Sequence, residues 1–341
     1  MRKVIICIHG LGNKPSKELL TKWWRQSIKE GLKGISKYVF NPKIEMVYWA
    51  DLLYEKPLDE NITDVNNQYF LDEKYVKCPQ DNKAETHEVR KKILSFVEKQ
   101  LDKLFLNDDN TINFESISDF IIHKYFKDLE TYYSKKTLDS ANGSLCVRDL
   151  IRKRLTDVLN KYKRYEIFLI SHSMGTIVTY DVFTLQLTDV KVNTFITIGS
   201  PLGIPVVIGK IAKEYKEKFN KTFSPDTPKN ITESWYNFSD LEDKVAMNYN
   251  LADDFKENTN GIKTIDIIVK NNYAINGISN PHKAYGYLQT PELSEILYKF
   301  LVSNRFSITI RMIEFTNKLI TWLLKKNLKF LKEYFGLKDW N

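Results

Sequence analysis

The chain has 341 residues, 43% of them hydrophobic, and a formal net charge of +8. That apolar share supports a substantial core and excludes a disordered chain, while no stretch nears the roughly 20 uninterrupted apolar residues of a spanning helix. The charge is uneven, because the residues from Arg305 onward hold eight Lys/Arg against three Asp/Glu, and the remainder is too mildly basic to define a nucleic-acid surface.

Residues 3–8 (KVIICI) read as a buried strand followed by the loop "HGLGNKPS". The opening "MRKVIICIHG" lacks a signal peptide's layout, since its apolar run ends at once in His-Gly. Cys7, Cys78 and Cys146 are odd in number and widely spaced, which fits a reducing compartment better than a disulfide framework or a zinc site. A cytoplasmic location is therefore expected. "LLTKWWRQSIKEGLKGI" has helical spacing, and "KIEMVYWA" is a second strand.

From Asp51 to about Lys136 the pattern turns polar and two amphipathic helices stand out. One carries Val89, Ile93, Phe96, Val97, Leu101 and Leu104 on a single face; the other carries Ile117, Phe120, Ile121, Phe126 and Leu129. Residues 51–136 are expected to form a helical cap inserted into a core made of residues 1–50 and 137–304. The α/β alternation resumes with the helix "VRDLIRKRLTDVLNKY", the strand "YEIFLI", a helix from about Thr176 and the strand "VNTFITIGSP". A Pro/Lys-rich stretch follows, then the strands "ESWYNF" and "GIKTIDIIVKN" and a helix around "SEILYKFLVS". Strands alternating with helices predict an α/β fold, a mainly parallel sheet with helices on both faces.

Four pieces carry chemistry, each at the end of a predicted strand. They are His9-Gly10-Leu11-Gly12, then Ser173 in "SHSMG", then Asp240, Glu242 and Asp243, and finally His282 in "SNPHKAYGYL". A serine hydroxyl needs an imidazole to take its proton, and the imidazole needs a carboxylate to hold its tautomer. Open α/β sheets gather such groups at the C-terminal ends of their strands. As a set, the motifs resemble the α/β-hydrolase superfamily, particularly its lipase-like and esterase-like members, whose chain order is Ser, Asp, His. The resemblance covers roughly residues 1–50 and 145–303. It implies Ser173 as nucleophile, His282 as base, and Asp243 as acid from "WYNFSDLEDKVA", with Asp240 as the alternative acid or a turn cap. It further implies the Leu11 and Met174 N–H groups as an oxyanion hole, and a strand end "IGSPLG" bordering the site. His9, Gly10 and Gly175 would support it, His9 by ordering the loop. The sequence departs from the superfamily pattern at Ser171, where a glycine usually opens the elbow, and a small side chain there is a modest steric load.

His172 is expected to be packed structure beside the elbow, and His87 and His123 surface or core residues of the insertion. "GIPVVIGK" fails as a phosphate loop, because its glycine spacing is one residue too long and Ile211 stands where Ser or Thr is needed. No histidines pair at i,i+4, so no metal is expected, and no organic cofactor is implied.

Residues 305–341 read as a basic amphipathic helix with Arg311, Lys318, Lys325 and Lys332 every seven residues. Three fates compete for it: packing on its own core, a seam with a partner or second copy, and peripheral contact with the inner membrane surface. The function expected is hydrolysis of a carboxylic ester, lipid-like or acyl because Tyr125, Phe126, Tyr132 and Tyr133 enrich the insertion. A thioesterase or amidase with the same three residues, and a non-catalytic scaffold, are the alternatives.

Overall fold

The computed structural model describes residues 2–39, 41–79, 127–134, 137–140, 143–186, 189–246, 249–303 and 316. In chain order its elements are β1 (Lys3–Ile8), α1 (Lys17–Gly34), β2 (Ile44–Val47), α2 (Lys127–Tyr133), β3 (Thr137–Ser140), β4 (Gly143–Cys146) and α3 (Val147–Lys161). There follow β5 (Glu166–His172), α4 (Met174–Leu185), β6 (Val192–Ile198), α5 (Pro205–Phe219) and β7 (Ile231–Ser239). The last are α6 (Leu251–Asp254), β8 (Thr264–Ile268), β9 (Ala274–Ile275), β10 (Ile278–Ser279), α7 (Ala284–Tyr287) and α8 (Pro291–Val302).

Six strands form one sheet in the order β2-β1-β5-β6-β7-β8, and every pairing in it is parallel. Successive strand side chains face opposite ways, so β1 divides its residues between two cores. Val4, Ile6 and Ile8 pack with Ile177, Val178 and Val207 from α4 and α5. Ile5 and Cys7 pack with Trp24, Ile28 and Leu297 from α1 and α8. Strands buried on both faces read as continuous apolar runs, which is why KVIICI and EIFLI carry no polar alternation. The expected α/β sheet with helices on both faces is the fold observed.

The chain leaves β1 toward β2 on one side, whereas β5 through β8 run out on the other. The strand order therefore reverses between β1 and β5, the place where open α/β sheets open a crevice beyond their C-terminal strand ends. In register, Ile8 lies opposite Ser171, so the His9–Leu11 loop and the Ser173 turn emerge side by side.

The structure adds three local features. The Pro/Lys-rich stretch contains α5, whose first residue is Pro205; proline is tolerated there because its missing N–H would have no helical acceptor. The hairpin β3–β4 precedes α3 and was not anticipated. Residues 53–79 contain no helix; they run as irregular chain tied down by bridges between Pro15 and Leu58 and between Asp59 and Phe70, with Leu71 and Cys78 buried. Of the two expected insertion helices, only Leu129 falls among the described residues, buried in α2. The other named positions of those helices, His87, His123, Tyr125 and the 305–341 helix (save Thr316) lie outside the described residues. No helix among the described residues is long and apolar enough to cross a membrane.

The layer of α2, α3, α4 and α5 shares one buried ionic knot. The Arg152 guanidinium donates to Asp181 Oδ2 and to Glu214 Oε1, each at 2.6 Å, and Tyr132 O–H donates to Asp181 Oδ2 at 2.6 Å. Tyr132 is thus committed to holding α2 on the core. It is not free to line a substrate path.

Candidate active site

The turn from β5 into α4 is made at Ser173, whose φ of 53° and ψ of −129° are rare for a residue with a side chain. Such a conformation costs on the order of 1–3 kcal/mol and persists only where its surroundings enforce it. Here Ser173 N–H donates to Ile198 O at 3.1 Å, while Ser173 O accepts from the N–H and hydroxyl of Thr176. A Cβ on Gly175 would lie 2.8 Å from His9 O, and one on Gly10 would lie 2.6 Å from Ser173 Cβ. Both glycines are required by close approach.

Ser171, the departure from the usual elbow, is accommodated by a partner. Thr179 Oγ1 donates to Gly175 O at 2.8 Å, which leaves it accepting from the Ser171 hydroxyl, also at 2.8 Å. The extra hydroxyl is buried, and it is satisfied.

His282, from the loop between β10 and α7, comes to this turn. Its Nε2 lies 3.0 Å from Ser173 Oγ, and its Nδ1 lies 3.0 and 2.9 Å from the two carboxylate oxygens of Asp243. The carboxylate fixes the tautomer: Nδ1–H donates to Asp243, and Nε2 accepts from the serine hydroxyl. Asp243 Oδ1 also accepts from the N–H groups of Val245 and Ala246, and Oδ2 accepts from the Tyr287 hydroxyl at 2.8 Å. Tyr287 in turn accepts from Asp240 N–H at 3.0 Å. Gly199, at the end of β6, has a φ of 55°, and a Cβ there would meet Asp243 Oδ2 at 2.9 Å.

Asp240 does other work. Its Oδ1 accepts from Glu242 N–H at 2.7 Å and its Oδ2 from Asn271 N–H at 2.6 Å. Burial pushes its carboxyl pKa up, against the pull of those two donors. Asn271 then donates through Nδ2 to Pro281 O and Lys283 O, the carbonyls flanking His282.

His172 and His9 are buried around this centre. His172 lies 4.8 Å, ring to ring, from His282, and its Nε2–H donates to His282 O at 2.7 Å. Burial, then the neighbouring His282, hold the His172 pKa well below the usual imidazole range. Trp49 N–H donates to His9 Nε2 at 3.0 Å, which leaves His9 Nδ1–H to donate to Gly10 O at 2.9 Å. Burial and then Lys14 pull the His9 pKa down to about 3, so this ring is neutral at ordinary pH and braces the loop. Leu11 N–H has no acceptor among the described residues. Met174 opens α4, so its N–H belongs to the first helical turn, where no intrahelical acceptor exists.

The three side chains named in the sequence are thus brought into one hydrogen-bonded chain. Ser173 is 1% exposed and the His282 side chain 27%, so solvent reaches the imidazole before the hydroxyl. Tyr287, Gly199, Asn271 and the His172 contact escaped the sequence reading. Only "IGSPLG" gave a signal, as a strand end bordering the site.

A parallel sheet with helices on both faces and a strained serine turn at its switch point define an α/β-hydrolase fold. The chain belongs to the family of PGAP1-like alpha/beta domains, which matches residues 93–276, more than half of its length. That span holds Ser173 and Asp243; it begins after the His9–Leu11 loop and ends before His282. No curated protein and no solved structure gives a significant match.

Proposed function

We propose that the protein is a serine hydrolase that cleaves a carboxylic ester through an acyl-enzyme intermediate. The observation that carries this reading is the continuous chain Ser173 Oγ to His282 to Asp243, with hydrogen-bond distances of 3.0 and 2.9 Å. In this scheme Ser173 Oγ attacks the ester carbonyl as His282 Nε2 takes its proton. Asp243 stabilises the imidazolium that results without taking the proton. The N–H groups of Leu11 and Met174 receive the oxyanion; one such donor is worth on the order of 3 kcal/mol in the transition state. The imidazolium then protonates the leaving alcohol. Water, activated by the same imidazole, releases the acid and restores Ser173. The scheme calls on no cofactor.

The acyl or lipid-like character of the ester rests on the aromatic residues of the insertion other than Tyr132, namely Tyr125, Phe126 and Tyr133. Hydrolysis of long-chain nitrophenyl esters faster than of the acetate is the expected outcome, and the reverse preference would remove this part. For the reaction itself, a fluorophosphonate probe should label the wild type and neither Ser173→Ala nor His282→Ala. A well-folded wild type that stays unlabelled would refute the activated serine.

A further inference from the structure

His282 lies in a loop without regular structure, yet the backbone around it is held at every point. Its N–H donates to Asn280 Oδ1 at 3.1 Å, its carbonyl accepts from His172, and Asn271 grips the carbonyls on either side. These anchors belong to the sheet and its loops. One more does not.

Glu73 sits in residues 71–79, the stretch that leads in sequence into segment 80–126. Its Oε1 accepts from Asn280 Nδ2 and its Oε2 pairs with Lys283 Nζ. One carboxylate therefore grips the residue two before His282 and the residue directly after it. Asn280 works at both ends: its oxygen takes the His282 N–H while its amide is fixed by Glu73. A displacement of Glu73 reaches the imidazole through a single side chain and one peptide. Burial pushes the Glu73 pKa up, but Lys283, the Asn280 amide and Lys14 together hold the carboxyl below its usual range.

The stretch around Glu73 is docked along its length. Tyr273 O–H donates to Lys74 O at 2.7 Å, Gln289 Nε2 to Val76 O at 3.2 Å, and Asn272 Nδ2 to Pro79 O at 3.3 Å. Cys78 N–H donates to Gln289 Oε1 at 3.0 Å. These partners flank the segment that carries His282, before β9 at 272–273 and after α7 at 289. The contacts run across it as a strap.

We propose that Glu73 is a positioning residue for His282, setting the loop that aims Nε2 at Ser173 Oγ. The proposal rests on the reading of His282 as the base. Glu73 makes no hydrogen bond to Ser173 or His282, and acts through Asn280 and Lys283.

The test is the rate constant and the final amplitude of fluorophosphonate labelling, measured on the full chain. Glu73→Gln keeps the side chain's size and removes the ion pair; Lys283→Gln removes its other half. Each should slow labelling about tenfold, short of the ~100-fold that misplacement of reacting groups can cost, while reaching full amplitude. The double variant should be no slower than either single one, because both remove the same contact. Glu73→Asp, which retains the charge, should recover part of the rate. A wild-type rate in Glu73→Gln overturns the assignment, and so does a lowered amplitude at unchanged rate, which marks a purely structural residue. A wild type inert to the probe overturns the reading of Ser173 and His282, and Glu73 falls with it. A labelled wild type with unslowed variants overturns Glu73 alone.

Discussion

The turn that carries Ser173 and the loop that carries His282 meet within 3.0 Å, but different forces hold them. The turn is a matter of volume. Backbone from β1 and the His9–Leu11 loop presses on it so closely that Gly10 and Gly175 have no room for a Cβ, and the crowding keeps Ser173 at its positive φ. The loop is a matter of polar contacts. It is hung from Asn271, Asn280, His172 and Glu73, and its carboxylate partner is fixed by Tyr287 and two backbone N–H groups. Close packing forbids small displacements because the interior is nearly incompressible. Hydrogen bonds tolerate more movement, so the loop is the side of the site that a neighbouring segment can adjust.

The largest effect expected from breaking this arrangement is on the polar side. Asp243→Asn should lower the rate of nitrophenyl ester hydrolysis on the order of 10⁴-fold while leaving the fold in place, because the imidazole loses the partner that fixes its tautomer. Asp240→Asn should cost far less, since Asp240 acts on the loop through Asn271. Equal losses in the two variants would assign the acid to neither.

The crowded side should show itself in acid. His9 is held near pKa 3 in the native protein against about 6.5 in the unfolded chain. Between those values the unfolded state binds a proton that the native state excludes. Its contribution is therefore nil above about pH 6.5, and stability falls as pH drops, by ~1.4 kcal/mol per pH unit for each such group. His172, also held neutral by burial, adds to the same limb. His9→Gln should flatten the slope of unfolding free energy against pH between about 6 and 4, as measured by urea unfolding. An unchanged slope would mean that His9 takes its proton while folded.

The smallest effects separate volume from hydrogen bonding within the turn itself. Gly175→Ala should destabilise by about 1–3 kcal/mol through overpacking against His9 O. Ser171→Ala removes one buried hydrogen bond but leaves Thr179 still donating to Gly175, and should cost about 1 kcal/mol. Thermal midpoints that reverse this order would contradict the packing account of the turn.

The elements that were legible share a feature: each depends on neighbours in sequence. KVIICI and EIFLI announce strands buried on both faces, and the Ser-x-Gly turn is recognisable from the strand and helix that flank it. The misread elements depend on something else. The Pro/Lys-rich stretch around Pro205 carries no assigned element in the sequence, although a proline at a first helical position is favourable; the buried row Val206, Val207, Ile208, Ile211 shows the helix that follows. Tyr132 looked like an aromatic available to substrate and proved to be bound to Asp181 and Arg152.

By itself the sequence determined the α/β sheet and the order in which serine, acid and histidine follow its strands, because strand burial and turn chemistry are written in short-range patterns. What the resemblance implied for Asp243, the tertiary structure shows as a contact with the imidazole, and it shows Asp240 holding Asn271. It alone placed Tyr287 and Glu73 around the pair. Asp240 and Asp243 are three residues apart in one turn and carry the same side chain, and only the resemblance of "WYNFSDLEDKVA" to a known pattern set Asp243 first. What separates them is the direction each carboxylate takes, set by contacts to residues some thirty to forty-five positions away.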